Sequence, residues 1–211
     1  MYIQICIKGI NRITPDDAQA ILGGRGLACN WWRETREIRP GEIAGRLTAD
    51  EVYLHVNRYD DKHPTRSGLV REETPFISLT AGAVERNAFL RTNQVNPAHE
   101  TALNFASDFG RWRGACFLFY CWVVVGLRPC PEVRQLAEEV RGFNTYRGYS
   151  AFQPEGEILA KIEVPAYQIL MYEQYEISEK PGGGPKMDLV DARINLNYVK
   201  LHSVTNFRDC I

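Results

Sequence analysis

Hydrophobic and polar positions alternate in several short stretches of the chain, and this period of two is typical of strands. Four such stretches predict strands over residues 2–7, 51–58, 75–80 and 157–164. In residues 51–58 the pattern places Val52, Leu54 and Val56 on one face and His55 on the other. A continuous apolar run over residues 114–127 predicts a buried central strand.

Helices are predicted where the apolar spacing lengthens or where capping residues appear. Thr14 and Pro15 begin a helix over residues 14–22, and Gly23 and Gly24 end it. Further helices are predicted over residues 31–39, 81–96, 97–106 and 131–141, and a terminal strand over residues 196–204. Strands and helices do not alternate regularly, so the pattern favours an α+β fold over a doubly wound sheet.

Length and composition narrow the class of protein. The chain has 211 residues, 45% of them hydrophobic, with a formal net charge of −1. These values predict a single globular domain over residues 1–211, with residues 1–45 as a helical extension packed on it. A near-zero charge gives no strong overall field for a polyanion. We predict a cytoplasmic protein without a membrane partner, because neither a signal peptide nor a membrane-spanning run is apparent.

Several common catalytic motifs are missing from the sequence. The glycines near residue 24 follow no strand and lack the lysine of a phosphate-binding loop. The four histidines show no HExxH spacing, and no GxSxG occurs. The six cysteines include no CxxC pair and are predicted to be reduced. We therefore expect no metal site.

Polar residues that carry chemistry recur in a fixed order along the chain. His55 lies on the first alternating segment, and Ser78 and Thr80 lie on the next. Glu155 and Glu157 come much later, where a strand begins. Two carboxylates two residues apart at a strand entry share a face, and their repulsion raises the proton affinity of one of them. Such a pair suits a division of catalytic roles.

This arrangement resembles the ADP-ribosyltransferase family, in particular its Arg–Ser–Glu branch with a Glu-x-Glu motif. The likeness rests on Ser78-x-Thr80 after an aromatic residue, on the helical segment 102–106, and on Glu155-x-Glu157; it covers residues 51–170. It implies a split β-sandwich of two mostly antiparallel sheets, flanked by helices, with NAD as substrate in the cleft between them and no metal.

The resemblance also implies roles for individual residues in the reaction with NAD. Glu157 would accept a hydrogen bond from the ribose 2′-hydroxyl, and Ser78 would hold Glu157 in place. Glu155 would act as general base for the acceptor. Thr80 would line the NAD site, and Phe152, from the aromatic loop, would stack on nicotinamide or select the acceptor.

The family's first-strand arginine has two candidate counterparts. Arg58 stands at the end of the predicted strand and would contact a phosphate or the nicotinamide ribose. His55 would instead take the role of the histidine found in the branch that includes diphtheria toxin. Arg66 and Arg71 are further substitutes for the arginine.

The implied function is mono-ADP-ribosylation of a macromolecular acceptor, a protein arginine or a nucleic acid. Glu-x-Glu favours arginine in this family. A bacterial toxin or effector role, with a cognate inhibitor or antitoxin, fits small free-standing members. The alternatives are an NAD glycohydrolase, which uses water as acceptor, and a catalytically inactive binding module of the same fold.

Overall fold

The computed structural model describes residues 1–35, 40–87, 92–140 and 156–200. Its strands are β1 (Tyr2–Asn11), β2 (Leu27–Ala28), β3 (Phe76–Thr80), β4 (Ala83–Asn87), β5 (Thr92–Asn96), β6 (Gly114–Val125), β7 (Glu138–Glu139), β8 (Glu157–Lys161), β9 (Glu163–Val164), β10 (Ile169–Glu179) and β11 (Pro185–Ile194). Its α-helices are α1 (Pro15–Ala20), α2 (Asn30–Thr35), α3 (Pro40–Arg46), α4 (Ala49–Asn57), α5 (Val70–Glu73) and α6 (Ala98–Ala106).

One large antiparallel sheet organises the fold. Seven strands follow the order β11-β10-β6-β1-β3-β8-β7, and two-stranded ladders pair β2 with β9 and β4 with β5. The apolar run predicted as a central strand is β6, which pairs with β1 on one side and β10 on the other. The predicted α+β class is confirmed: a large sheet and small ladders are flanked by helices.

The first strand lies inside this sheet. β1 pairs with β6 along its whole length, from Tyr2 opposite Val125 to Asn11 opposite Cys116. The expectation that residues 1–45 form an added helical extension is therefore wrong for these first residues. They belong to the middle of the sheet, where Cys6 packs into the core on one face and Ile7 into the core on the other.

The sheet opens between β1 and β3. The two strands share a single registered pair, Ile7 opposite Thr80, whereas β3 pairs with β8 over five residues from Phe76 to Thr80. Where two neighbouring strands diverge beyond their shared pair, the side chains along the gap between them are not covered by the other strand. The cleft described below lies at this junction.

Residues 51–57 lie in helix α4 and do not form the strand predicted over residues 51–58 from their alternation. Thr48 begins α4 by accepting a hydrogen bond from the Glu51 amide through its hydroxyl at 3.3 Å. Val52, His55 and Val56 are buried, which is a helical spacing. The apolar residues of this segment fit both a strand period of two and a helical period of about 3.6. The Thr48 cap that precedes them favours the helix.

Three other predicted segments differ in the structure. Residues 83–96 contain the β4–β5 ladder where a helix was predicted, and residues 126–140 contain no helix. The predicted strand over residues 196–204 is not formed in its described part, because β11 already ends at Ile194. Local apolar spacing was a weak guide in all three, since each segment is short or strongly polar.

The core divides between the two faces of the large sheet. On one face, α1, α2 and α4 cover apolar side chains of β3, β6 and β8. On the other face, α6 packs on β1 at Gly9, where any side chain would collide with the Ala102 carbonyl. Within the described residues, no helix has the length and apolar character needed to span a membrane.

Candidate active site

Three elements bring the predicted site residues together. His55 lies on α4, Ser78 on β3 and Glu157 at the start of β8, and all three line a cleft of about 330 Å³. Antiparallel pairing sets Thr80 opposite Glu157, so that Ser78 lies one pleat along the same face. Residues far apart in sequence thus meet at the open junction of the sheet.

The side chains form a connected polar network. His55 Nε2 lies 2.8 Å from Ser78 Oγ and 3.7 Å from Glu157 Oε1. The other ring nitrogen, His55 Nδ1, lies 2.7 Å from Thr74 Oγ1. The ring edge-packs against Tyr59 and Phe76, with centroids 5.3 and 5.7 Å apart. Both nitrogens and both ring edges of His55 are therefore held, which fixes its orientation towards Glu157.

Glu157 is kept in its ionised form. Burial would raise the pKa of this carboxyl, but hydrogen-bond donation from His55 and Ser78 and the charge of Lys8 outweigh it, and the net pKa is lowered. Its side chain is 16% exposed and lines the cleft. A carboxylate in this state can accept a hydrogen bond from a ligand.

The glycine before Glu157 is required by the backbone. Gly156 has a φ of +62°, and its carbonyl accepts a hydrogen bond from the Ala81 amide at 2.9 Å. A side chain there would collide with the backbone of Gly82. This close approach sets the point at which β8 begins and aims Glu157 into the cleft.

Lys8 on β1 is the cation that the structure places in the cleft. Its half-buried side chain lies near Glu157 in the cleft. Burial lowers the pKa of Lys8, and the negative charge of Glu157 raises it by less, so the net pKa is below the ordinary lysine value. Among the described residues that line this cleft, Lys8 is the only lysine or arginine. It was missed because a lone lysine in an Ile-rich strand looks like a surface residue.

A second, smaller cavity adjoins the cleft at Lys8. It measures about 160 Å³ and is also lined by Arg25, Arg33 and Asp17. Arg25 pairs with Asp17 at 3.2 Å. Three cations against one carboxylate make this cavity favourable for an anionic group.

The arginines predicted for the site lie elsewhere. Arg58 is the residue after α4; it pairs with Asp61 at 3.2 Å, and its side chain is 59% exposed. It does not line the cleft, so the structure does not place it in the first-strand role. Arg66 binds the buried Glu51 carboxylate at 2.6 Å, and Arg71 pairs with Asp60 at 2.8 Å.

The remaining predicted residues divide into two groups. Thr80 lines the cleft, and its hydroxyl accepts a hydrogen bond from the Gly82 amide at 3.3 Å. Glu155 and Phe152 lie outside the described residues. Phe105, near the end of α6, is 45% exposed and forms part of the cleft wall.

The described residues hold no cluster of three or more His, Cys, Asp or Glu side chains that could bind a metal ion. The five described cysteines are free. The polar side chains that line the cleft are Glu157, Asp60, His55, Lys8, Ser78, Thr80 and Tyr59.

Comparison with known proteins bears on the fold. No family model matches the chain, and no curated protein matches it. Among solved structures it is similar to EcPltA, with a TM-score of 0.50 and 11% identity over 93% of this chain and 88% of that one. It is also similar to full-length CARDS toxin, with a TM-score of 0.50 and 13% identity over 94% of this chain.

The chain spans 30% of the length of CARDS toxin and most of the length of EcPltA. At these identities the likeness is one of fold. The chain thus has a mixed α+β fold like that of EcPltA and CARDS toxin.

Proposed function

We propose that the protein transfers ADP-ribose from NAD to a macromolecular acceptor. The observation that carries this proposal is the ionised Glu157 carboxylate, held by His55 and Ser78 at the wall of a cleft that also contains Lys8. The fold and the order of the motifs support the same reaction class.

The role of Glu157 follows from the charge that develops during the reaction. Breaking the bond between nicotinamide and ribose builds positive, oxocarbenium-like charge on the ribose. A carboxylate that accepts a hydrogen bond from the 2′-hydroxyl binds that transition state more tightly than the neutral ribose. Ser78 and His55 keep the carboxylate ionised and oriented, so no reorganisation is needed as the charge grows.

Lys8 supplies the charge that NAD binding requires. In the proposed pose the nicotinamide ribose occupies the larger cavity, and the pyrophosphate lies at Lys8. The rest of the dinucleotide then extends towards Arg25 and Arg33 in the smaller cavity. A charge-assisted hydrogen bond from Lys8 to the pyrophosphate replaces the contact that the family makes with arginine.

The acceptor is proposed from the Glu-x-Glu motif alone. Glu155 would take a proton from the incoming nucleophile as a general base, and Phe152 would select the acceptor. The motif favours a protein arginine over a nucleic acid. The toxin-like fold favours a toxin or effector role, with a cognate inhibitor or antitoxin as a further partner.

Transfer and hydrolysis are separated by one assay. The purified protein is incubated with NAD that carries a label on its adenylate half, with and without cell lysate, beside Glu157→Gln. We expect nicotinamide release that depends on Glu157 and rises with lysate, together with label on a macromolecule. Release that is unchanged by lysate, with no labelled macromolecule, favours the glycohydrolase instead. No release and no NAD binding would leave a binding module of this fold.

A further inference from the structure

A line of hydrogen-bonding groups runs from the backbone of β3 to Glu157. The Phe76 amide donates to Thr74 Oγ1 at 3.2 Å, and Thr74 Oγ1 lies 2.7 Å from His55 Nδ1. His55 Nε2 lies 2.8 Å from Ser78 Oγ and 3.7 Å from Glu157 Oε1. Thr74 itself is 2% exposed and does not line the cleft.

The two ends of this line suggest the direction of every hydrogen bond in it. The Phe76 amide can only donate, and an ionised carboxylate can only accept. His55 Nε2 faces the Glu157 carboxylate at 3.7 Å, where a lone pair would be repelled by the negative charge, so Nε2 carries the ring hydrogen and donates it to Ser78 Oγ. The hydroxyl hydrogen of Ser78 is then left for the carboxylate. A neutral imidazole with hydrogen on Nε2 has an acceptor at Nδ1, and the hydroxyl hydrogen of Thr74 is the donor within reach.

We infer that Thr74 is a positioning residue for catalysis: its hydroxyl donates to His55 Nδ1 and thereby selects the ring tautomer that passes a hydrogen bond through Ser78 to Glu157. The hydrogen bonds then run from the Phe76 amide to Thr74 Oγ1, from the Thr74 hydroxyl to His55 Nδ1, and from His55 Nε2–H to Ser78 Oγ. The last one runs from the Ser78 hydroxyl to the Glu157 carboxylate. Each hydroxyl accepts once and donates once. The inference rests on the proposed role of Glu157 for its effect on activity, but the tautomer does not depend on that role.

The backbone prepares Thr74 for this task. The following residue is Pro75, which disfavours helical backbone at Thr74, and Thr74 has the extended values of φ −68° and ψ 134°. α5 therefore ends before Thr74, and the hydroxyl is directed at the ring of His55. No rotation of the chain is needed to make the contact.

Loss of the Thr74 hydroxyl has a specific consequence at Glu157. Without a donor at Nδ1, His55 is free to carry its hydrogen there and to accept from Ser78 through Nε2. Ser78 then no longer donates to the carboxylate, and the pKa of Glu157 rises. The other titratable groups in the cleft with Glu157 are Lys8 on β1, Tyr59 after α4 and Asp60, and the substitution leaves them unchanged.

The tautomer is tested directly by nitrogen-15 NMR of the histidine rings at neutral pH, with His55→Gln to assign the signals. In the wild type we expect hydrogen on Nε2 and none on Nδ1. In Thr74→Val we expect the Nδ1–H form to become populated, whereas Thr74→Ser keeps the wild-type form. A wild-type ring with hydrogen on Nδ1 overturns the inference, whether or not the protein acts on NAD.

The pH profile of nicotinamide release tests the effect on catalysis. For Thr74→Val we expect kcat to fall about three- to tenfold and the acidic limb to move to higher pH. Thr74→Ser should reproduce the wild-type limb, and in a His55→Gln background Thr74→Val should move the limb no further. A purely structural role predicts lower activity with an unmoved limb, and that result would contradict the inference even if the variant is less stable.

Discussion

Two regions of this protein contain the same kinds of side chain in contact. The cleft joins His55, Ser78 and Glu157. On β6 and β10, Glu173 Oε2 accepts from the hydroxyls of Tyr120 at 2.6 Å and Tyr175 at 3.1 Å, and His99 Nε2 lies 2.9 Å from the Tyr175 hydroxyl. We call the second set the tyrosine cluster.

The regions differ in what surrounds the carboxylate. Glu157 lines a cavity of about 330 Å³ and is held ionised with a lysine nearby. Glu173 lines neither described cavity, and two phenol hydroxyls already bind one of its oxygens. Burial and the charge of Glu173 raise the pKa of Tyr175 to about 12, so its hydroxyl stays a donor.

The comparison teaches that a histidine beside a glutamate does not define a catalytic site. A carboxylate becomes available for a ligand when its partners are few, when a cavity adjoins it and when a cation can receive the other end of the substrate. The tyrosine cluster has the residue types and lacks these surroundings, and we assign it a structural role between α6 and β10.

The largest contrast is expected from matched substitutions of the two carboxylates. Glu157→Gln should lower the rate of ADP-ribose transfer by about 10²- to 10⁴-fold, because the amide does not stabilise the growing positive charge. Glu173→Gln should leave the rate within about twofold, because Glu173 lines neither cavity. Equal losses in the two variants, both folded by circular dichroism, would remove the distinction between the regions.

Lys8 sharpens the account of the cleft. Lys8→Ala should raise the KM for NAD by about 10- to 100-fold, as expected for loss of a charge-assisted hydrogen bond. Lys8→Arg should retain most of the affinity. Steady-state kinetics of nicotinamide release measure both, and an unchanged KM in Lys8→Ala would place the pyrophosphate elsewhere.

The pKa of Lys8 gives NAD binding an alkaline limit. Because burial lowers this pKa below the ordinary value of 10.5, the ammonium loses its charge as the pH rises through that lowered pKa. The KM for NAD should then increase in the wild type and stay flat in Lys8→Arg, since the guanidinium does not titrate there. Identical profiles for the two proteins would speak against a charged contact from Lys8.

A matched pair of hydroxyl deletions separates catalysis from stability. Ser78→Ala should lower kcat about tenfold, because Glu157 loses a hydrogen bond that holds it, with little change in KM. Tyr175→Phe should leave kcat unchanged and lower the free energy of unfolding by about 1 kcal/mol. Kinetics and urea denaturation check both variants. A reduced kcat in Tyr175→Phe would contradict the structural role assigned to the tyrosine cluster.

The smallest effect is on stability in acid. The lowered pKa of Glu157 means that ionisation of this group stabilises the fold above its ordinary pKa of 4.5, and that this contribution is lost as the pH falls through the lowered value. The difference in unfolding free energy between wild type and Glu157→Gln should therefore change below pH 4.5 and level off above it. A difference that does not vary with pH would contradict the lowered pKa.

The parts predicted correctly were those with strong local signals. The apolar run of β6, the Thr14 cap of α1 and the alternation of β8 each specify an element without help from the rest of the chain. Ser78 and Glu157 were singled out by motifs on such strands, and both line the same cleft. His55 was found with the wrong backbone around it, since Val52 and Val56 fit either period.

The parts that were missed depend on tertiary contacts. Lys8 becomes a site residue only because β1 and β3 diverge after one pair, and no local pattern signals that divergence. Thr74 gains its role from a histidine nineteen residues away on another element. Arg58 looked suitable by position alone, but α4 ends so that its side chain turns to Asp61 and solvent.

The most direct measurement is a crystal structure of the protein with a non-hydrolysable NAD analogue, after calorimetry has shown that the analogue binds. The account predicts the nicotinamide ribose with its 2′-hydroxyl within hydrogen-bond distance of Glu157, and the pyrophosphate at Lys8. Failure of the analogue to bind in calorimetry would contradict the claim that this cleft is the NAD site. An analogue that binds in solution but lies away from both residues in the crystal structure would contradict it equally.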